Sequence, residues 1–235
     1  MKNKSVIPFV AVAAALITWA YHAVFGRWPM MPAAASAEAA FVDSAWNGLF
    51  AIETAIYGLV VGFILYCLVA FRAKSRDEQG DASDRSRGRL VEAGWILAST
   101  ILTLALAAFG AKELRAVVGG THADHDVEVR ASQFSWEIYY PKYNQYGSKL
   151  FLEEGKRHRI ILTSKDVVHS FWVPEFRLKQ DAVPGKVIHL MLTPTVKGEY
   201  TLLCSELCGA DHTTMTSLVE VLDHEAFEEQ MKAEF

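Results

Sequence analysis

Between Cys204 and Met215 the sequence reads Cys-Ser-Glu-Leu-Cys-Gly-Ala-Asp-His-Thr-Thr-Met, so two thiols, an imidazole and a thioether fall within twelve residues. Soft sulfur and nitrogen donors without a carboxylate-rich set select copper over magnesium or calcium. A trigonal blue-copper centre takes one Cys, two His and a weak axial Met. Here there are two Cys, and two thiolates can each bridge two metal ions. The spacing Cys204-x3-Cys208 lets the loop curl so that both sulfurs face one pocket. His212 lies within the same loop, and a second His must come from elsewhere. His169, in Asp166-Val-Val-His-Ser-Phe-Trp, is well placed at the end of an expected strand, 35 residues before Cys204. Each copper would then hold both sulfurs and one His, with Met215 and a backbone carbonyl as weak axial donors. Two metals sharing one unpaired electron change little in bond length on reduction, which suits outer-sphere electron transfer. No ligand position stays open, so catalysis is not expected at this site. Two other readings use part of the set. Cys204 and Cys208 could form a disulfide in an oxidising compartment, or join His169 and His212 around a structural zinc. Neither accounts for Met215, a poor zinc ligand, and the ordered set favours copper.

Such a loop needs a rigid scaffold, and the composition divides the chain in two. Of 235 residues, 51% are hydrophobic and 21% charged. Residues 1–120 carry 11 Lys and Arg against 9 Asp and Glu, whereas residues 121–235 carry 12 against 18. The aromatic content of 11% excludes a disordered chain, and three Cys exclude a disulfide scaffold. The acidic second half would repel phosphate, so nucleic-acid binding is not expected.

The apolar residues of the first half fall into three runs: Ser5 to Phe25, Leu49 to Phe71 and Val91 to Ala111. Each approaches the ~20 residues that a helix needs to cross a bilayer. The second and third predict a helical hairpin over residues 49–115. Glu53 falls in the expected first turn of its helix, within reach of the interface. The loop 72–90 contains Arg72, Lys74, Arg76, Arg85, Arg87 and Arg89. Short basic loops stay in the cytoplasm, so residues 116–235 are expected outside, on the periplasmic or outer face of a bacterial inner membrane. The first run has two readings. Lys2, Lys4 and the small residues Ala35-Ser36-Ala37 resemble a secretory signal. However, the run exceeds the usual ~7–15 apolar residues of such a signal and ends a dozen residues before Ala37. A retained third helix is the favoured reading. Residues 26–48 are then an outer linker closing an N-terminal segment 1–48.

Beyond residue 120 apolar and polar residues alternate. Val127, Val129 and Ala131 do so, as do His158, Ile160 and Leu162, then Val187, His189 and Met191, then Tyr200, Leu202 and Cys204. Period-two alternation predicts half-buried strands, and Glu154-Gly155, Pro184-Gly185 and Lys197-Gly198 supply turns. Residues 116–222 are expected to form a β-sandwich or barrel, and residues 223–235 a polar C-terminal tail.

At this point the sequence resembles subunit II of the heme–copper cytochrome c oxidases, and its Cys-rich loop resembles that family's CuA motif. The likeness runs from about residue 45 to 222. It implies a membrane-anchored all-β protein, in which a helical hairpin precedes a cupredoxin-like Greek-key β-sandwich. It implies that His169, Cys204, Cys208, His212 and Met215 hold two copper ions, with Glu206 giving its backbone carbonyl. The Glu206 side chain would help to bind magnesium at the boundary with subunit I. Asp181-Ala-Val-Pro-Gly185 resembles the family's D-x-x-P-G loop. Glu92-x-x-Trp95 resembles the E-x-x-W in which the Glu opens a proton path into subunit I. The family's Q-W-x-W stretch, where electrons arrive from cytochrome c, reads Gln133-Phe134-Ser135-Trp136 here. Phe134 therefore stands where electrons would enter, with Trp136 or Tyr139 as the alternative; strand packing is the plain reading of all three. Ser99 replaces a familiar Pro. No Cys-x-x-Cys-His occurs, so a fused cytochrome c is not expected.

The resemblance implies a complex with subunits I and III, in which cytochrome c is the donor and subunit I reduces oxygen and translocates protons. Glu137, Glu153, Glu154 and Glu175 are candidate acids for a basic donor, or simply a solvated acidic surface. A quinol oxidase subunit would lack the copper ligands. A nitric oxide reductase subunit is separated less well, although Glu92 and Glu206 favour the oxygen reductase. A copper carrier would need an exposed, exchangeable site.

Overall fold

The computed structural model describes residues 6–26, 31–72, 85–120 and 122–233. Lys2, Lys4, Lys74 and Arg76, which entered the orientation argument, lie outside them. The described residues fall into two compact units: Met1–Met30 with Ala45–Lys112, and Met31–Ser44 with Glu113–Phe235.

The apolar runs form three helices, α1 (Val6–Phe25), α2 (Ala37–Ala70) and α3 (Arg85–Val118). All three are long and apolar enough to cross a membrane. At 1.5 Å per residue, each of the two longer helices extends about 50 Å, beyond the ~30 Å of hydrocarbon. The linker expectation for residues 26–48 is corrected, because α2 starts at Ala37 rather than Leu49. Ser36 caps it, its hydroxyl accepting from the amide of Ala39 at 3.1 Å, and Glu38 occupies the first turn. Hydropathy misses this stretch, because Glu38, Asp43, Ser44 and Asn47 interrupt its apolar residues, while the Ser36 cap and the Ala residues favour helix. Glu53 consequently lies sixteen residues into the helix rather than in its first turn.

The β-domain contains ten strands: β1 (His125–Ser132), β2 (Ser135–Tyr140), β3 (Gln145–Gly147), β4 (Leu150–Glu153), β5 (His158–Ser164), β6 (His169–Val173), β7 (Leu178–Ala182), β8 (Ile188–Leu192), β9 (Gly198–Cys204) and β10 (Thr216–Leu222). They form two five-stranded sheets, ordered β3-β2-β1-β5-β8 and β4-β10-β9-β6-β7. Most neighbours are antiparallel, but β1 pairs with β5 and β4 with β10 in parallel, so the chain crosses between sheets before pairing, as a Greek-key sandwich requires. The alternation seen in the sequence is the inward face. Val127, Val129, Ala131, Ile160, Leu162 and Leu202 are all fully buried.

The polar-tail expectation is corrected too. Residues His224–Lys232 form a helix, α4. Asp223 caps it by accepting from the amide of Ala226 at 3.0 Å. Phe227 and Met231, one turn apart, are buried, and Gln145 donates to the carbonyls of Met231 and Ala233. Two apolar residues at i, i+4 are enough to dock a short helix that composition alone reads as polar.

Candidate metal centre

The centre is assembled at one end of the sandwich from neighbouring strands of one sheet. Cys204 is the last residue of β9, and His169 is the first residue of β6, which pairs with it. His169 thus opens a strand, where the sequence reading had it closing one. A loop from Ser205 to Asp211 and a single 3-10 turn (His212–Thr214) lead to Met215, directly before β10. The loop is pinned at its base. The amide of Cys204 donates to Met215 carbonyl at 3.2 Å, and that of Ser205 to Ser170 carbonyl at 3.0 Å. The amide of His212 donates to Gly209 carbonyl at 3.2 Å.

The donor atoms converge. Cys204 Sγ lies 3.8 Å from Cys208 Sγ, 3.8 Å from His169 Nδ1 and 3.3 Å from the carbonyl oxygen of Glu206. Cys208 Sγ lies 3.5 Å from His212 Nδ1 and 3.8 Å from Met215 Sδ. His169 and Met215 are fully buried, and Cys204 and Cys208 nearly so. A disulfide requires an S–S distance near 2.05 Å, and both cysteines are free. Among the described residues, His169, Cys204 and Cys208 form the one metal-capable group of three His, Cys, Asp or Glu side chains. Three of the converging side-chain donors are sulfur and two are imidazole, which fits copper. Burial, together with the adjacent Cys204, pushes the Cys208 thiol up to about 11. A metal held there would have to displace the proton of that thiol.

Three residues that sequence reasoning did not single out hold the site. Asp166 Oδ1 lies 2.8 Å from His169 Nε2, so Nε2 carries the hydrogen and the Nδ1 lone pair faces the sulfurs. Burial disfavours ionisation of Asp166, but hydrogen bonds from His169 and the amides of Gln133 and Val167 outweigh it and hold the carboxyl at about 2. Gln133 gives its amide to Asp166 Oδ2 at 2.7 Å and its side-chain Nε2 to the carbonyl of Cys208 at 2.5 Å. Gly209 has φ +148°, and a Cβ there would meet Gln133 Nε2 at 2.8 Å and Phe134 at 2.9 Å. The sequence offered faint signals: an acid three residues before the His, and a Gly directly after the second Cys.

The other candidate residues are distributed unevenly. The Glu206 side chain is exposed, next to Leu207, the most exposed large apolar residue of the β-domain. Phe134 is half-buried, with its ring against Gly209 of the metal loop. Trp136 is buried, its ring edge-on to His169 at 6.4 Å and to Phe171 at 6.2 Å. It does not reach the surface. Tyr139 stacks on Tyr146 at 4.3 Å, and Glu92 is exposed near the start of α3. Glu153 is buried between His125 and His224, so it is not a surface acid.

A Greek-key β-domain with a buried Cys2His2Met pocket, on a chain bearing three apolar helices, defines the class: a membrane-anchored cupredoxin-like protein. Residues 130–222 match the family described as Cytochrome C oxidase subunit II, periplasmic domain. The cytochrome c oxidase subunit 2 of Synechocystis sp. is 26% identical over 87% of this chain and 75% of its own length. The probable cytochrome c oxidase subunit 2 of Streptomyces avermitilis is 28% identical over 86% of this chain and 77% of its own. The crystal structure of the periplasmic domain of subunit II of cytochrome oxidase from Bradyrhizobium japonicum is 25% identical, covering 47% of this chain and 93% of that one, with a TM-score of 0.46. Over residues 130–222 the chain thus matches that family's periplasmic domain, and the relatives it resembles along most of its length are cytochrome c oxidase subunits 2.

Proposed function

We propose that this chain is the electron-accepting subunit of a proton-translocating cytochrome c oxidase. It would take electrons from a cytochrome c and deliver them to the heme of subunit I, where oxygen is reduced to water. The observation that carries the reading is the convergence of Cys204, Cys208, His169, His212, Met215 and the Glu206 carbonyl around one pocket. When bound there, a dinuclear copper centre would supply a one-electron carrier whose charge is shared by two metals.

The residues of this chain do the rest. Cys204 and Cys208 would give up their thiol protons to hold the copper. Asp166 keeps His169 in the tautomer that presents Nδ1. Burial of Met215 and His169 would keep water from a bound metal, so that little solvent would reorganise when its charge changed. Phe134 packs on Gly209, one residue from Cys208, which favours it over the buried Trp136 as the surface where the electron enters. Glu206 would hold magnesium at the boundary with subunit I, and Glu92 would open a proton path into it. With the basic 72–90 loop inside, the copper domain faces the periplasm of a multi-pass bacterial inner-membrane complex, subunit III included.

The test is oxidation of reduced cytochrome c by the purified complex. Rapid reduction of the copper centre, followed by heme reduction in subunit I, supports the proposal. A copper centre that stays oxidised while the heme reduces would overturn it.

A further inference from the structure

The Ala35-Ser36-Ala37 pattern that resembles a signal-peptidase site is built into the folded protein on both sides of the bond that would be cut. Ala35 and Ser36 are buried. The amide of Ala35 donates to Glu175 carbonyl, and the amide of Thr195 donates to Ala35 carbonyl, each at 2.9 Å. Ser36 forms a β-bridge with Pro194. Its hydroxyl donates to Phe176 carbonyl at 2.8 Å while accepting the Ala39 amide that starts α2. Beyond the bond, buried Glu38 accepts from the amide and hydroxyl of Thr193, both at 3.0 Å, and Asp43 pairs with Arg177 at 2.8 Å.

Upstream, α1 is packed as a helix partner rather than trailing as a leader. Gly58 and Gly62 of α2 lie against its backbone. A Cβ at Gly58 would collide with Thr18 Oγ1 and come within 2.7 Å of Ala14 carbonyl oxygen. One at Gly62 would come within 3.2 Å of Val10 carbonyl oxygen. Small residues spaced by four allow this close approach of spanning helices. Thr18 donates to the Thr54 carbonyl at 3.3 Å, and Tyr21 meets Phe50 and Tyr57 at 5.6 Å. Signal peptidase acts before the β-domain folds, so burial does not itself protect the bond. Cleavage would remove the cap of α2, the hydrogen bonds of Ala35, Ser36 and Ala37 to the β-domain, including that of the Ala37 amide to Thr193 carbonyl at 2.9 Å, and the helix that fills the Gly58–Gly62 groove.

We propose that Ala35-Ser36-Ala37 is an uncut clasp and that α1 remains in the mature protein as a third membrane-spanning helix. The 20-residue helix also exceeds the ~7–15 apolar residues of a processed signal.

The test is the intact mass and N-terminal sequence of the chain isolated within its complex from native membranes. The expected result is one polypeptide containing α1 and the β-domain. A mature N-terminus at Glu38, or any cut between α1 and α2, would overturn the proposal. Gly58→Leu adds a second reading on the full chain in detergent. It should lower the melting temperature by several degrees and expose α1 to added protease, whereas unchanged melting and protection would show that α1 has no place against α2.

Discussion

At the residue scale the site separates ligands from the groups that aim them, and substitutions should separate them too. If Met215 serves as the proposed weak axial donor, 3.8 Å from Cys208 Sγ, Met215→Leu should retain copper and raise the reduction potential in a redox titration. Complete loss of copper would assign Met215 a different role. Gly209→Ala meets both a positive φ and a collision with Phe134 and Gln133. A strained backbone of this kind costs on the order of 1–3 kcal/mol, so copper retention and thermal stability should fall together. Gln133→Ala, which removes only the hydrogen bond to the Cys208 carbonyl, should cost about 1 kcal/mol. Comparing the melting of the two copper-loaded variants checks the order. The converging donors were legible in the sequence, because five of them are Cys, His and Met side chains, four of these within one twelve-residue loop. Asp166 and Gln133 were not, because an Asp and a Gln in loops are common and only the fold brings them to the His and the Cys carbonyl.

At the element scale the end of the sandwich where β1 and β5 begin holds a second cluster of titratable groups. His158 is fully buried and stacks on His125 at 5.0 Å. Its Nε2 accepts from the amide of Glu153 at 3.0 Å, while Glu153 pairs with His125 and His224. Burial, then the charge of His125, depresses His158 to about 4 from 6.5. The unfolded chain therefore takes up a proton between those values that the folded chain refuses. Stability is complete above pH 6.5 and declines as pH falls toward 4, by about 3 kcal/mol in all. Denaturant unfolding across that window should show the slope in the wild-type protein and a flatter one in His158→Gln. Equal slopes would contradict the assignment.

The neighbouring α4 offers a separate check. Asp223→Ala removes a cap worth about 1 kcal/mol and should speed hydrogen exchange in α4 ahead of the strands. Strands with clean alternation, such as β1 and β5, were readable in advance. The start of α2 and the whole of α4 were not, since a cap and two buried side chains decide them and hydropathy averages over both.

At the scale of the whole molecule, composition had already divided the chain into an apolar first half and an acidic second half. That division anticipated three spanning-length helices and a β-domain, although not that residues 31–44 would join the second compact unit. The acidic balance predicts a kinetic signature. Reaction with a basic cytochrome c should be steered by charge, so its bimolecular rate should fall severalfold as ionic strength rises from about 10 to 200 mM. A salt-independent rate would point to contact through apolar residues such as Leu207 and Phe134 instead.

The central claim, that two copper ions share the Cys204–Cys208 pair, is tested most directly by electron paramagnetic resonance of the full chain loaded with copper. Two equivalent nuclei sharing one electron give a seven-line hyperfine pattern, and that is the pattern predicted. A four-line pattern from a single copper, or protein that takes up no copper and carries a Cys204–Cys208 disulfide, would contradict it.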